Sequence, residues 1–149
     1  MVTIQGSERI GHSRGDVFSA GVRSQMWPEV DGLVIKPEEA VVAQGGLIRV
    51  ALDISVVKIG VDAYVTECRP GEVVRIEGQS SLVDLRIALE LDDDEEGTRI
   101  AYGLELNGKK LSVRLAEPAL KSYLSERVPP FVAGYRERVS DFLRASAIV

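Results

Sequence analysis

Hydrophobic and polar residues alternate along much of this chain, with the two-residue period that predicts β-strands buried on one face. The first such segment runs from Val2 to Ile10. The clearest runs from Val83 to Leu91, where every second residue is aliphatic and the charged residues fall between them. A register shift of one residue would bury those charges, so the pattern indicates which face of this strand is inside.

Glycine and proline turns divide the alternating region into further strands. Gly45-Gly46 predicts a hairpin between a strand spanning Leu33 to Ala43 and a second strand. The inward positions of this second strand are Ile48, Val50, Leu52, Ile54 and Val56. Gly60 predicts a bend or bulge before a strand from Val61 to Cys68, and the pattern leaves open which face of that strand is inside. Pro70-Gly71 then turns the chain into a strand from Val73 to Gly78.

Two segments change to the helical period. Ser13 stands three residues before Asp16, the spacing of a capping box, so a short helix is expected between the first strand and Trp27-Pro28. An apolar stripe from Leu120 to Leu143 predicts a long closing helix. Pro129-Pro130 lies inside it and predicts a kink or a restart, because proline lacks the N–H that the helix needs.

This order of elements predicts a single α+β domain over residues 1–149. It consists of a curved antiparallel sheet of about seven strands, short helices after the first strand, and a long C-terminal helix across the inner face of the sheet. The composition agrees, since a chain of 149 residues, 45% hydrophobic and 28% charged, can bury a core of its own.

Charge and hydropathy exclude some classes of function. The net charge of −5 argues against binding the phosphate backbone of nucleic acids. No apolar run reaches the ~18 residues that a membrane span needs, and the first residues lack the apolar core of a secretion signal. We therefore expect a cytoplasmic protein without stable membrane insertion.

Several segments, taken with the order of elements, resemble the helix-grip fold of the START-like (SRPBCC) superfamily, which includes polyketide cyclases and a small protein associated with carbon monoxide dehydrogenase. They are the capped early helix ending at Trp27-Pro28, the turn Cys68–Gly71, the stretch Gly97–Tyr102 and the stripe of the closing helix. The resemblance covers nearly the whole chain and concerns architecture. It implies a cavity for a hydrophobic ligand between the long helix and the sheet.

The inward positions of the sheet and helix are nearly all apolar, with tyrosine hydroxyls as the polar groups, which suits a lipid-like or aromatic ligand. The candidate ligand-binding residues are Trp27, Leu52, Ile54, Ile87, Leu89, Tyr102, Leu124, Phe131 and Tyr135. Of these, Trp27 is a candidate for the rim of the cavity, and Tyr64 is a further candidate for the rim. The alternative interpretation is that the same side chains fill a packed core.

Few groups suggest catalysis or metal binding. The single histidine, His12, and the single cysteine, Cys68, have no evident partner to orient or activate them. The acidic run Asp92–Glu96 predicts a solvated turn, because its consecutive carboxylates lack the spacing of a calcium loop. Gly103–Lys110 approaches a phosphate-binding loop but lacks the final Ser or Thr. We expect no catalytic residue, no metal and no cofactor.

These features favour a protein that binds or transports a hydrophobic small molecule, such as a lipid, a quinone or a polyketide. An enzyme of the cyclase or dehydratase type is one alternative, but it needs an inward polar side chain in mid-strand. The alternation instead places these charged residues outward: Asp84, Arg86, Glu90, Arg99 and Glu105. A third alternative is an adaptor beside a larger enzyme, and either a homodimer or a protein partner is compatible with the sequence.

Overall fold

Seven antiparallel strands form one curved sheet in the computed structural model, which describes residues 1–55 and 57–147. The strands are β1 (Val2–Ile10), β2 (Leu33–Pro37), β3 (Leu47–Asp53), β4 (Lys58–Arg69), β5 (Val73–Gln79), β6 (Val83–Asp94) and β7 (Gly97–Gly108). Their order across the sheet is β1-β7-β6-β5-β4-β3-β2, so β1 and β2 are the edges. The α+β class and the seven-stranded sheet are thus confirmed.

The helical elements of the described residues are α1 (Arg14–Gly21), a 3₁₀ turn (Ser24–Met26), α2 (Leu111–Leu115) and α3 (Glu117–Ala147). The cap of α1 is as predicted, since the Ser13 side chain accepts the backbone N–H of Asp16 at 3.3 Å. The short helix α2 was not predicted, because it is only one turn and a half long and has no periodic pattern.

The closing helix α3 continues through Pro129-Pro130 without restarting. Both prolines are exposed, and so are Ser125 and Glu126, the residues whose carbonyl groups lose their helical donors. Because these carbonyls lie on the solvent side, water can donate to them. Of the two outcomes expected from the sequence, the restart does not occur.

The inner face of the sheet carries the apolar side chains that the alternation predicts. In β6, these buried residues are Val83, Leu85, Ile87 and Leu91. The helix α3 packs along β1 and covers this face, and its most deeply buried residues are Leu120, Leu124 and Val139. The core of the protein therefore lies between α3 and the concave side of the sheet.

The outer face carries charged side chains in cross-strand ion pairs. Arg75 lies 2.9 Å from Glu67 and 3.0 Å from Glu90, and Arg86 lies 3.3 Å from Glu77. The five charged residues that the alternation places outward all share this face, namely Asp84, Arg86, Glu90, Arg99 and Glu105.

The structure decides the orientation of β4, which the sequence left open. Val61, Ala63 and Val65 are buried, so Tyr64 faces outward and 52% of it is exposed. Tyr64 is therefore not at the rim of an inner cavity, and its assignment there was wrong. The reason is that the strand can bury only one face. The face with three apolar residues gains more from burial than the face that carries a single tyrosine.

The irregularity in β4 also differs from the prediction. Gly60 pairs regularly with Ala51 of β3. The register against β5 shifts instead at Thr66, whose hydroxyl donates to the carbonyl of Arg75 at 3.3 Å.

Strand β2 ends at Pro37 rather than at Ala43. The following segment turns away from β3, because the N–H of Val42 donates to the carbonyl of Val22 at 2.7 Å, close to the end of α1.

The acidic run Asp92–Glu96 also differs from the prediction. Strand β6 extends to Asp94, so the turn is shorter than expected. Ile54 is buried beyond the end of β3, whereas Val56, predicted to be its next inward residue, lies outside the described residues.

Candidate functional site

A small unfilled space remains between the helices and the inner face of the sheet, with a volume of about 20 Å³. We call it the inner void. It is lined by Val17, Phe18, Gly21, Val22, Trp27, Val42, Val74, Leu89, Leu91, Ile100 and Tyr135. A water molecule needs roughly 10–15 Å³ of such space, so the inner void has room for one water and for no organic ligand. The cavity expected from the sequence is closed in this conformation.

Three of the predicted ligand-binding residues meet at the inner void: Trp27, Leu89 and Tyr135. Trp27, expected at the rim of the cavity, is instead almost fully buried between the end of α1 and α3. Its ring stands edge-on to Phe131 at 6.5 Å and to Tyr135 at 6.0 Å, measured between ring centroids. The indole N–H donates to the carbonyl of Gly21 at 2.9 Å, which fixes the ring beneath the end of α1.

Tyr135 closes the void from the side of α3. Its hydroxyl lies directly against Gly21, where a side-chain Cβ would overlap it. Burial raises the pKa of Tyr135 well above its ordinary value, because the phenolate would be poorly solvated there. The hydroxyl is therefore protonated at neutral pH and can donate a hydrogen bond.

The other predicted site residues lie in the same core but do not line the inner void. Leu52, Ile54, Ile87, Leu124 and Phe131 are buried among the side chains of the sheet and α3. Tyr102 is partly buried, and its ring lies over Gly6 of β1.

Most of the lining of the void was not predicted from the sequence. The helical spacing of Val17, Phe18, Gly21 and Val22 indicated that α1 packs on a sheet, but not on which strands. The structure places α1 against β6 and β7. This placement brings the α1 residues to Leu89, Leu91 and Ile100, which the alternation had already assigned to the inner face.

One polar residue on the inner face was missed altogether. Glu8 shares the face of β1 that carries Ile4 and Ile10, and it pairs in register with the buried Ile100 of β7. The alternation of the strand already indicated this, because Glu8 is separated from Ile4 and from Ile10 by an even number of positions and therefore lies on the same face. Its side chain is one-third exposed, at 34%.

Glu8 lies near two other polar side chains, Tyr102 and Arg136. The guanidinium Nε of Arg136 lies 4.0 Å from Oε2 of Glu8 and donates to the carbonyl of Arg9. The pKa of Tyr102 is raised, first by burial and then by the negative charge of Glu8. We call Glu8, Tyr102 and Arg136 the polar rim.

The remaining candidates for chemistry have structural explanations. The carbonyl of His12 accepts the hydroxyl of the buried Thr98 at 2.8 Å. Burial raises the pKa of the Cys68 thiol, which lowers the fraction of reactive thiolate. In the acidic run, Asp94 lies 3.0 Å from Arg9 and Asp93 lies 3.6 Å from Arg14.

Two features are absent from the described part of the chain. No group of three or more His, Cys, Asp or Glu side chains is placed there to hold a metal ion. None of the helices found in those residues combines the length and the hydropathy needed to cross a bilayer.

Comparison with known proteins identifies the fold. No family model matches the sequence, and no curated protein matches it. Among solved structures, TTHA0849 from Thermus thermophilus superposes with a TM-score of 0.69 at 17% identity, covering 97% of this chain and 99% of that one. SA2116, a protein of unknown function from Staphylococcus aureus, gives a TM-score of 0.68 at 13% identity and covers 96% of each chain.

The di-domain ARO/CYC StfQ from the steffimycin biosynthetic pathway also superposes, with a TM-score of 0.68 at 14% identity. The match covers 99% of this chain and 52% of StfQ, so the chain spans about half the length of that protein. At these identities the likeness concerns architecture. The chain therefore shares its fold with the ARO/CYC protein StfQ, with TTHA0849 and with SA2116.

Proposed function

We propose that this protein binds a hydrophobic small molecule between α3 and the inner face of the sheet, in a cavity that forms when the inner void expands. The observation that carries the proposal is the void itself. It is lined almost entirely by apolar side chains, and they come from α1, the segment after it, the loop between β2 and β3, three strands and α3. Pockets for small ligands have this composition. The shared fold with StfQ supports the same interpretation.

Expansion of the void requires the segment of residues 22–32 to move away from α3. We call this segment the cover, since it carries Trp27. Backbone carbonyls of the cover accept hydrogen bonds from arginines of α3: Gln25 from Arg138 at 3.1 Å, and Asp31 from Arg127 at 2.9 Å. The hydroxyl of Tyr123 also donates to the carbonyl of Gly32. Such hydrogen bonds contribute about 1 kcal/mol each, and opening also exposes the buried Met26 and Trp27, so the cover opens as a local fluctuation of higher free energy than the bonds alone.

The opening also separates aromatic rings. Trp27 packs edge to face with Phe131 and Tyr135, and these contacts break when the cover moves, which exposes apolar ring surface to a guest. Trp27 is the single tryptophan of the chain, so its fluorescence reports on this place alone.

The test is binding of N-phenyl-1-naphthylamine, a neutral apolar probe, detected by energy transfer from Trp27. We expect saturable transfer in the wild-type protein. Leu89→Phe fills the void and should weaken binding by about fivefold or more, a loss of roughly 1 kcal/mol. Ala88→Phe is the matched control, because the neighbouring side chain of β6 points to the outer face and should leave binding unchanged.

Absence of saturable transfer in the wild-type protein would overturn the proposal. So would equal affinities of Leu89→Phe and the wild type, since the probe would then be bound elsewhere.

A further inference from the structure

The residues of the polar rim do not line the inner void themselves, but on β1, β7 and α3 they are neighbours of residues that do. Glu8 pairs in register with Ile100, and Tyr102 pairs with Leu89. Arg136 directly follows Tyr135 in α3. Each of these three neighbours lines the void, so a molecule that occupies an expanded void has one end close to the polar rim.

The polar atoms of the rim have unused hydrogen-bonding capacity within the described residues. Neither the carboxylate of Glu8 nor the hydroxyl of Tyr102 takes part in a hydrogen bond with them, and the terminal nitrogens of Arg136 donate to none of them. The contact of 4.0 Å between Glu8 and Arg136 is the longest ion pair in that part of the chain. All three side chains are partly exposed, at 34% for Glu8 and 46% for Arg136, so solvent can reach them in the free protein.

The charges of the rim favour a neutral partner. A carboxylate placed there is attracted by Arg136 but repelled by Glu8, and an ammonium group meets the opposite combination. A hydroxyl can satisfy both groups, because it donates to the carboxylate of Glu8 and accepts from Arg136 or Tyr102. An ether oxygen accepts but leaves Glu8 without a donor, which is costly where water has been displaced.

We propose, building on the function inferred above, that the ligand is an apolar molecule with a neutral hydroxyl at one end, and that Glu8, Tyr102 and Arg136 bind this hydroxyl. The apolar part occupies the expanded void beside Trp27, and the hydroxyl lies at the boundary with solvent.

The experiment compares three competitors that displace N-phenyl-1-naphthylamine at neutral pH: decan-1-ol, decanoate and decyl methyl ether. They share an apolar chain and differ at the polar end. We expect decan-1-ol to displace the probe at concentrations about fivefold lower than either of the others, the effect of one well-formed hydrogen bond.

Replacement of Glu8 separates a binding role from a structural one. In Glu8→Gln, the carboxylate that repels decanoate is gone while Arg136 still attracts it. The affinity of decanoate, measured by displacement of the probe, should therefore rise by about fivefold relative to that of decan-1-ol. The matched control is Glu38→Gln, which removes an acid that lies 2.9 Å from Arg49 near the opposite edge of the sheet. In this control variant, the three competitors should keep the order of affinities that they have for the wild-type protein. The melting temperature of each variant verifies that it is folded.

The outcomes distinguish the two proposals. If the probe binds but decan-1-ol and decyl methyl ether compete equally, or if Glu8→Gln leaves the order of competitors unchanged, the hydroxyl site is refuted while the hydrophobic ligand site stands. If the probe does not bind the wild-type protein, the proposed function fails and the hydroxyl site fails with it.

Discussion

The hydroxyl of Tyr135 in α3 lies against Gly21 at the end of α1, in the space that a side chain at position 21 would fill. Glycine is required there by this close approach and not by backbone conformation, because Gly21 is an ordinary helical residue. The contact sets how closely α1 and α3 approach and therefore how small the inner void is.

Gly21→Ala should consequently destabilise the protein by about 1–3 kcal/mol, the usual result of overpacking. Urea unfolding measures this loss. The double variant Gly21→Ala, Tyr135→Phe should recover much of it, because the hydroxyl that collides with the new methyl group is gone. Gly15→Ala in the same helix is the control: its Cβ meets nothing within 4 Å, so it should be neutral or slightly stabilising. Equal effects at the two glycines would contradict this interpretation.

The stability should also depend on the ionisation of Tyr135. Its pKa in the folded protein is raised above the value of about 10 in the unfolded chain. The stabilisation linked to the neutral phenol is therefore fully present below pH 10 and is lost as the pH rises from there towards the folded pKa.

Melting temperatures measured across this alkaline range should fall more steeply for the wild type than for Tyr135→Phe. Tyr64→Phe, which alters an exposed tyrosine, should follow the wild type. Parallel curves for the wild type and Tyr135→Phe would show that the phenol of Tyr135 reaches water freely.

Thr98 is the buried polar residue that ties β7 to the loop before α1. Only 1% of it is exposed, and its hydroxyl donates to the carbonyl of His12 at 2.8 Å. Thr98→Val keeps the shape but removes the donor, so we expect a loss of about 1–2 kcal/mol in the free energy of unfolding. Thr66→Val removes a hydroxyl bond at an exposed position and should cost clearly less. The idea is refuted if the two variants unfold at the same urea concentration.

The bonds between the cover and α3 should control how fast a ligand enters and leaves. Arg127 donates to the carbonyl of Asp31, and its guanidinium lies 4.0 Å from the ring centroid of Tyr123. Arg127→Gln should speed dissociation of N-phenyl-1-naphthylamine in stopped-flow experiments by about fivefold, the equivalent of one hydrogen bond. Arg144→Gln is the matched control, since Arg144 pairs with Asp141 of its own helix. Unchanged rates in Arg127→Gln would mean that the ligand takes another route.

Much of the fold could be predicted from local patterns. The alternation of β6 identified its buried face, because a one-residue slip would have placed Asp84 and Arg86 in the core. The cap at Ser13 was also predicted, since capping depends on residues three apart in sequence. The course of residues 38–43 was not, because it depends on hydrogen bonds to Val22 and its neighbours on a separate element.

The candidate site shows the same division. The sequence by itself determined that Leu89 and Tyr135 occupy inward positions, because the periods of strand and helix are local properties of the chain, and it placed Trp27 only at the rim of the cavity. Only the tertiary structure decided that these three meet while Leu52 and Leu124 do not line the void, and that Arg136 lies beside Glu8. The physical reason is that the size of an internal space depends on how closely separate elements pack, and here a contact as specific as that of Tyr135 with Gly21 sets that distance.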